Sequence, residues 1–182
     1  MAIGSEKRRL MRNLDGYRSK ARSMTRTEFL AEHGEPVFVP TKILTGGIHK
    51  GQNRARNATM MHVDRYSNVN PLKSSRAMSL EPAGSRQSRR DGLMIGRSAD
   101  CAVTIADYTI SKSHAVWRPG RFPRPATLED LGSSNGTWLN GEKLNKAAPK
   151  PIKSGDTVRF GRIVVDFLSA KDFYERLRSG KL

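Results

Sequence analysis

Beyond Gly92 the apolar and β-branched residues come in short runs at close spacing: Leu93 to Ile95, Val103 to Ile105, Ala115 to Trp117, Ala126 to Leu128, Thr137 to Leu139, Thr157 to Phe160 and Ile163 to Leu168. Each run is bounded by Gly, Pro, Asn, Asp or Ser, which interrupt or reverse a strand. Many short strands with turn signals between them predict an all-β sandwich. Asn140-Gly141 is the preferred pair for a type I′ hairpin turn, and Gly155-Asp156 and Gly161-Arg162 supply two further reversals. From Ser169 a short closing helix is expected to bury Phe173, Tyr174 and Leu177 and to stop at Gly180.

Ahead of this region the period changes. Between Ser5 and His33, Leu10, Leu14, Tyr17, Ala21 and Met24 recur every three or four residues, which predicts an amphipathic helix with a basic outer face. Thr25-Arg26-Thr27-Glu28 has capping-box spacing, so a second short helix is expected from there to Gly34, ahead of Pro36. Val37 to Val39 and Met60 to Val63 read as short strands separated by a loop over Thr45 to Asn57. Lys73 to Asp91, rich in Ser, Arg, Gly and Pro, reads as a linker in which Ala77 to Leu80 can pair as a short edge strand. The expected organisation is a helical N-terminal extension over 1–35, an irregular connector with short strands over 36–69, a β domain over 70–168 and a C-terminal helix over 169–182.

The chain has 182 residues, enough for one well-cored domain with extensions. A single cysteine, Cys101, excludes an internal disulfide, and its place beside Ala102-Val103 suits a small buried hydrophobe. The first residues mix acids and bases, and no apolar run reaches membrane-spanning length; a cytoplasmic protein with no membrane partner is expected. The net charge of +16 favours acidic partners, whether nucleic acid, anionic membrane or phosphorylated protein. Residues 1–92 carry 18 Lys and Arg against 8 acids and the remainder 15 against 9, so the excess is spread without a dense basic block. Nucleic acid is therefore at most a secondary partner.

Three polar clusters stand at the ends of predicted strands: Gly96-Arg97, Ser111-Lys112-Ser113-His114, and Ser133-Ser134-Asn135-Gly136. A guanidinium, several hydroxyls and a carboxamide on loops supply the donors that a phosphate dianion and its peptide require. They supply no nucleophile paired with a base, and no carboxylate stands at metal-ligand spacing from His114; no enzyme activity, cofactor or metal is implied. Each residue has a plainer reading in isolation. Arg97 is a candidate salt-bridge partner for Asp100 or Asp107, Ser111 a turn residue, Asn135-Gly136 a favoured turn pair, and Glu129-Asp130 turn formers.

Taken together, Ile95-Gly96-Arg97-Ser98, Ser111-Lys112-Ser113-His114 and Leu131 to Gly141 (LGSSNGTWLNG), followed by Gly155-Asp156 and Gly161, resemble the forkhead-associated (FHA) domain over roughly residues 70 to 168, in a single-FHA arrangement with an N-terminal helical extension. The resemblance implies a mainly β fold, an eleven-stranded β-sandwich, with N-terminal helices and a short C-terminal helix, whose loops at one end bind phosphothreonine. It assigns Arg97 to grip the phosphate, Ser111 and Ser134 to donate to it, Asn135 to bond the peptide main chain, and Lys112 to add charge at the rim. Gly96, His114 and Gly136 support the site from within. Many members of the family have threonine at the place of Ser134; the hydroxyl is kept here.

The implied function is an adaptor in Ser/Thr kinase signalling, whose partner is a phosphothreonine-containing protein, either the kinase or its substrate. The alternative is a structural component of a larger assembly, such as a ribonucleoprotein, that uses the fold and basic extension without phosphate. The presence of Arg97, Ser111 and Asn135 together separates the two. Self-association, with a threonine such as Thr25 or Thr27 bound by a neighbouring copy, is left open.

Overall fold

A computed structural model describes residues 11–44, 76–80, 92–121 and 123–182, and the backbone alone of Met11, Arg12 and Arg76. Its elements are β1 (Met11–Asn13), α1 (Leu14–Ser23), α2 (Arg26–Glu32), β2 (Val37–Ile43), β3 (Arg76–Ser79), β4 (Leu93–Gly96), β5 (Val103–Thr104), β6 (Ala115–Arg118), β7 (Thr127–Asp130), β8 (Thr137–Leu139), β9 (Glu142–Lys143), β10 (Lys150–Pro151), β11 (Thr157–Phe160), β12 (Ile163–Leu168) and α3 (Ala170–Arg178). The strands form a seven-stranded sheet, β1-β3-β2-β12-β11-β8-β9, and a five-stranded sheet, β10-β7-β6-β4-β5. Among the described strands only β4 and β5 pair in parallel.

Alternation along the strands decides what lies between the sheets. Val158 and Phe160 of β11 and Ile163, Val165 and Phe167 of β12 point inward against Leu93, Ile95, Ala115, Trp117 and Leu128 of the smaller sheet. Phe38 packs edge-on to Phe160, with ring centroids 5.7 Å apart. Burying such side chains stabilises by about 1.5–3 kcal/mol each relative to exposure.

A second apolar cluster covers the outer face of the larger sheet. Leu14, Tyr17 and Ala21 of α1, Phe29 of α2 and Phe173, Tyr174 and Leu177 of α3 pack on Val37, Val39, Ala77 and Leu168. Successive residues of β2 thus serve both cores, Phe38 facing one way and Val37 and Val39 the other. The helices are also tied by polar contacts. Arg18 Nε–H donates to Leu182 O at 2.8 Å, and the Tyr174 hydroxyl donates to Met24 O at 3.3 Å.

Three local expectations differ from the structure. The helix expected from Ser5 starts at Leu14, because Asn13 caps it by accepting the Asp15 N–H, while Met11–Asn13 pair with β3 as a strand. Leu10 lies outside the described residues. This added strand brings the described strands to twelve. The strand expected at Val37 to Val39, in the segment read as a connector with short strands, is present but runs on to Ile43 and lies inside the sheet as β2, between β3 and β12. The Met60 to Val63 candidate lies outside the described residues. The strand at Arg76–Ser79 is likewise no edge: it sits between β1 and β2, with Ala77 and Met78 buried on opposite faces.

The capping box at α2 has both its bonds, Glu28 N–H to Thr25 Oγ and Thr25 N–H to the Glu28 carboxylate. Ser169 caps α3 by accepting the Asp172 N–H, and the hydroxyls of Ser154 and Ser169 hold the Asp172 carboxyl below its usual range. Among the described residues no helix is long and apolar enough to cross a membrane.

Phe29 is fully buried and meets the rings of Tyr17, His33, Phe173 and Tyr174. Phe29→Ala is expected to lower stability by about 3–5 kcal/mol, as a shift in denaturation midpoint with the slope unchanged. A midpoint equal to the parent's would show that the helices are not part of the cooperative unit.

Candidate functional site

At one end of the sandwich three loops are drawn together by backbone contacts. Gly96 ends β4 so close to the next loop that a Cβ would lie 2.1 Å from Lys112 O and 2.8 Å from Cys101 Sγ, which admits only glycine. That approach lets Arg97 N–H donate to Ser111 O at 2.9 Å and Ser98 N–H donate to Lys112 O at 3.2 Å. The Arg97 Nε–H donates to Ile110 O at 3.1 Å, which restrains the guanidinium.

The middle loop is anchored from below. Asp107, only 1% exposed, pairs with Arg162 at 2.7 Å and accepts the Thr109 N–H at 2.9 Å and the Thr109 hydroxyl at 2.6 Å. A buried carboxylate is tolerable only with partners of this kind. The Arg162 guanidinium lies 4.4 Å from the centroid of Tyr108, and Arg162 N–H donates to Thr109 Oγ at 3.1 Å.

The third loop is organised by Asp130 at the end of β7. Its carboxylate accepts Gly132 N–H at 2.8 Å, Ser133 N–H at 3.0 Å, Ser133 O–H at 2.6 Å and Thr137 O–H at 2.7 Å. Burial pushes the Asp130 pKa up, but these donors outweigh it and hold the carboxyl below its usual range. Gly136, at φ +78°, completes the turn.

His114 joins the second and third loops. The ring is fully buried; Nδ1 accepts Ser111 N–H at 3.0 Å and Nε2 stands 3.1 Å from Gly136 O. Because Nδ1 accepts, the proton is on Nε2 and is donated to Gly136 O. That carbonyl also accepts Gly161 N–H at 3.1 Å. Burial depresses the His114 pKa, against the opposing pull of the Gly136 carbonyl and the Asp130 charge, so the ring is neutral.

The result brings Arg97, Ser111, Ser134 and Asn135 to one end of the domain. Ser134 N–H donates to Ser111 Oγ at 3.1 Å, and Asn135 Nδ2–H donates to Thr109 O at 2.8 Å. Ser111 Oγ thus accepts the Ser134 amide, and its hydroxyl donates to Ser134 Oγ over a long 3.5 Å. Lys112 contributes its carbonyl to the loop contacts, while its side chain is exposed. Of the two acids considered for Arg97, Asp107 pairs with Arg162, and Asp100 accepts the Ser98 hydroxyl at 3.1 Å. Glu129 pairs with Arg118 across the sheet, and Asp130 forms the turn.

From sequence Thr109 was not singled out, Asp107 was named only as a candidate partner of Arg97, and Arg162 only as part of a turn. Asp107 and Arg162 are distant in the chain and meet only through folding. Among the described residues no group of three or more His, Cys, Asp and Glu is placed to hold a metal ion.

Residues 93–161 match the family model of the FHA domain. The chain carries a forkhead-associated domain. It is 28% identical over 149 residues to the glycogen accumulation regulator GarA of Mycolicibacterium smegmatis, which spans 81% of this chain and 80% of the relative. It is 36% identical over 74 residues to the FHA domain-containing protein FhaB of the same organism, over 41% of this chain and 45% of that one. A solved chain from a structural and functional analysis of phosphothreonine-dependent FHA domain interactions is 26% identical, with a TM-score of 0.42, and covers 52% of this chain and 85% of its own length.

The buried neutral state of His114 has a pH signature. Its pKa is lowered on folding from the ordinary value of 6.5, so below that pH the unfolded chain takes up a proton that the folded chain refuses. The His114 contribution is complete above about pH 6.5 and is lost as the pH falls toward the folded-state pKa. His114→Ala is expected to be less stable at pH 7.5 by about 1–3 kcal/mol, because Ser111 N–H and Gly136 O lose their partner. Between pH 7.5 and 5 the gap between parent and variant should narrow. A gap constant over that range would rule out a buried neutral imidazole.

Proposed function

We propose that this chain is a phosphothreonine-dependent protein-binding module, an adaptor in Ser/Thr kinase signalling and not an enzyme. The observation that carries the reading is the junction of Ser111 with the Ser134 amide, at the same end as an Arg97 whose guanidinium is restrained by Ile110 O. A restrained guanidinium with two hydroxyls matches the tetrahedral oxygens of a phosphate better than a mobile ammonium does. Asn135 has one amide hydrogen engaged by Thr109 O, which leaves the rest of its carboxamide to pair with an extended main chain. Lys112 adds positive charge at the rim, and Gly96, His114 and Gly136 hold the loops in place.

The likeness to a glycogen accumulation regulator over most of both chains supports a regulatory binding role. The partner in this reading is a phosphothreonine-bearing protein, either a Ser/Thr kinase or one of its substrates. No observation at the site favours a phosphate-independent assembly component.

Calorimetry with phosphorylated and unphosphorylated forms of one threonine peptide tests the reading. The phosphorylated form alone should bind, and Arg97→Ala should weaken it about a hundredfold or more, since each hydrogen bond to a charged group is worth roughly 1.5–3 kcal/mol. Equal affinity for the two forms would end the proposal.

Ser111→Ala and Asn135→Ala are expected to weaken the phosphopeptide by roughly fivefold or more each while melting close to the parent. If either unfolds the domain, the residue belongs to its support and not to its binding surface.

A further inference from the structure

Strands β6 and β7 run between the two ends of the sandwich. β6 follows His114 and β7 ends at Asp130, so the connection between them lies at the end away from Arg97 and Ser111. Four residues of strand put about 13 Å between it and that site. The connection is a closed hairpin. Arg121 N–H donates to Arg124 O at 2.7 Å and Arg124 N–H to Arg121 O at 2.6 Å, which places the two arginines directly opposite each other. Behind them the neck is tight: a Cβ on Gly120 would lie 2.6 Å from Ala126 N and 2.9 Å from Pro125 C. Pro123 and Pro125 stiffen the returning arm.

Strand β10 brings a third cation to the hairpin. Pro151 is in register with Thr127, and Ile152 N–H donates to Ala126 O at 3.0 Å, which sets Lys153 beside Pro125. Arg121, Arg124 and Lys153 are all exposed. Among the described residues none of their side chains pairs with a carboxylate. The acids nearest in the sheets are engaged elsewhere, Glu129 by Arg118, Glu142 by Lys150, and Asp156 by Asn140 and the Lys153 backbone. Like charges directly opposite each other weaken a strand pair. The hairpin therefore holds two guanidiniums together against their repulsion, and their counter-charge comes from outside the chain.

Three observations favour a polyanion over a single acidic group. The tip is a narrow two-stranded ribbon, the shape that enters a duplex groove. Its opposed cations are arginines, whose planar forks bond phosphate oxygens in pairs. The chain's net charge of +16 is spread along its length, so a partner charged along its own length meets more of it than an isolated carboxylate does. We propose that the Arg121–Arg124 hairpin, with Lys153, is a contact for the phosphodiester backbone of nucleic acid. Contacts to phosphate carry no base information, so binding is independent of sequence. The inference does not rest on the phosphothreonine reading. With both ends occupied, the module brings a phosphorylated protein to nucleic acid.

The test is fluorescence anisotropy of the full chain with a labelled DNA duplex and an RNA duplex of the same length, between about 50 and 200 mM salt. The parent is compared with R121Q/R124Q, with the charge-keeping R121K/R124K, and with R22Q/K181Q, which removes two exposed charges from the helical side. The parent should bind with a Kd on the order of micromolar at the lowest salt. R121Q/R124Q should melt like the parent, bind about tenfold more weakly, and lose about 2 from the slope of log affinity against log salt, since each phosphate contact contributes about 0.9. R121K/R124K should keep most of that slope. If the double glutamine variant does not fold, the single variants R121Q and R124Q decide, each expected to lose about 1 from the slope. The proposal is overturned if the parent binds neither duplex at the lowest salt, or if the hairpin variants weaken binding no more than R22Q/K181Q does. Phosphatidylserine vesicles and a polyglutamate peptide complete the set. Binding to either that depends on Arg121 and Arg124, while duplex binding does not, would assign the hairpin to a lipid surface or an acidic protein and equally overturn the proposal.

Discussion

A neutral imidazole with no exposed surface spans the gap between two loops that share no strand. Through one nitrogen His114 accepts from the Ser111 amide, and through the other it donates to the Gly136 carbonyl. Both loop groups would otherwise be polar atoms with little access to water, so the ring satisfies them and sets their separation at once. The placement of Ser111 against Ser134 follows from that separation. A side chain with no exposed surface therefore determines how far apart the two loops stand.

Two carboxylates extend the same logic outward. Asp107, gripped by Arg162, ties the loop before Ser111 to the turn between β11 and β12, and Asp130 closes the loop before Asn135 on itself. Each is engaged by several donors, and those on Asp130 hold its carboxyl below the usual range. The binding end is thus preorganised by buried polar groups. Such networks are stable only when complete, because removal of one partner leaves a charge or a carbonyl buried without compensation.

Much of this was legible in the chain because it is locally encoded. Short apolar runs with turn residues between them gave the strands after Gly92, and the spacing of Thr25 and Glu28 gave the start of α2. The three polar clusters announced the loop residues. What could not be read was non-local. Phe38 reads alike in a connector or a sheet interior, and only pairing with β12 and β3 decides which. Met11–Asn13 continue a helical apolar period, yet an Asn cap and an available strand edge override it. The Asp107–Arg162 pair has no spacing signature, because its members meet only after the sheets close.

The position of β12 carries a consequence for how the chain assembles. This strand separates β2, from the first quarter of the chain, from β11, its immediate neighbour in sequence. Until residues 163–168 are in place, β2 has no partner on that side, and the outer face of the sheet lacks both Leu168 and the α3 residues that cover it. A chain growing from its N-terminus can therefore cover Val37, Phe38 and Val39 only in part, with α1, α2 and β3, until residues 163–168 have been made. Folding is then governed by a late, long-range closure, and its speed is set by the search that brings the two ends together more than by the formation of any single hairpin.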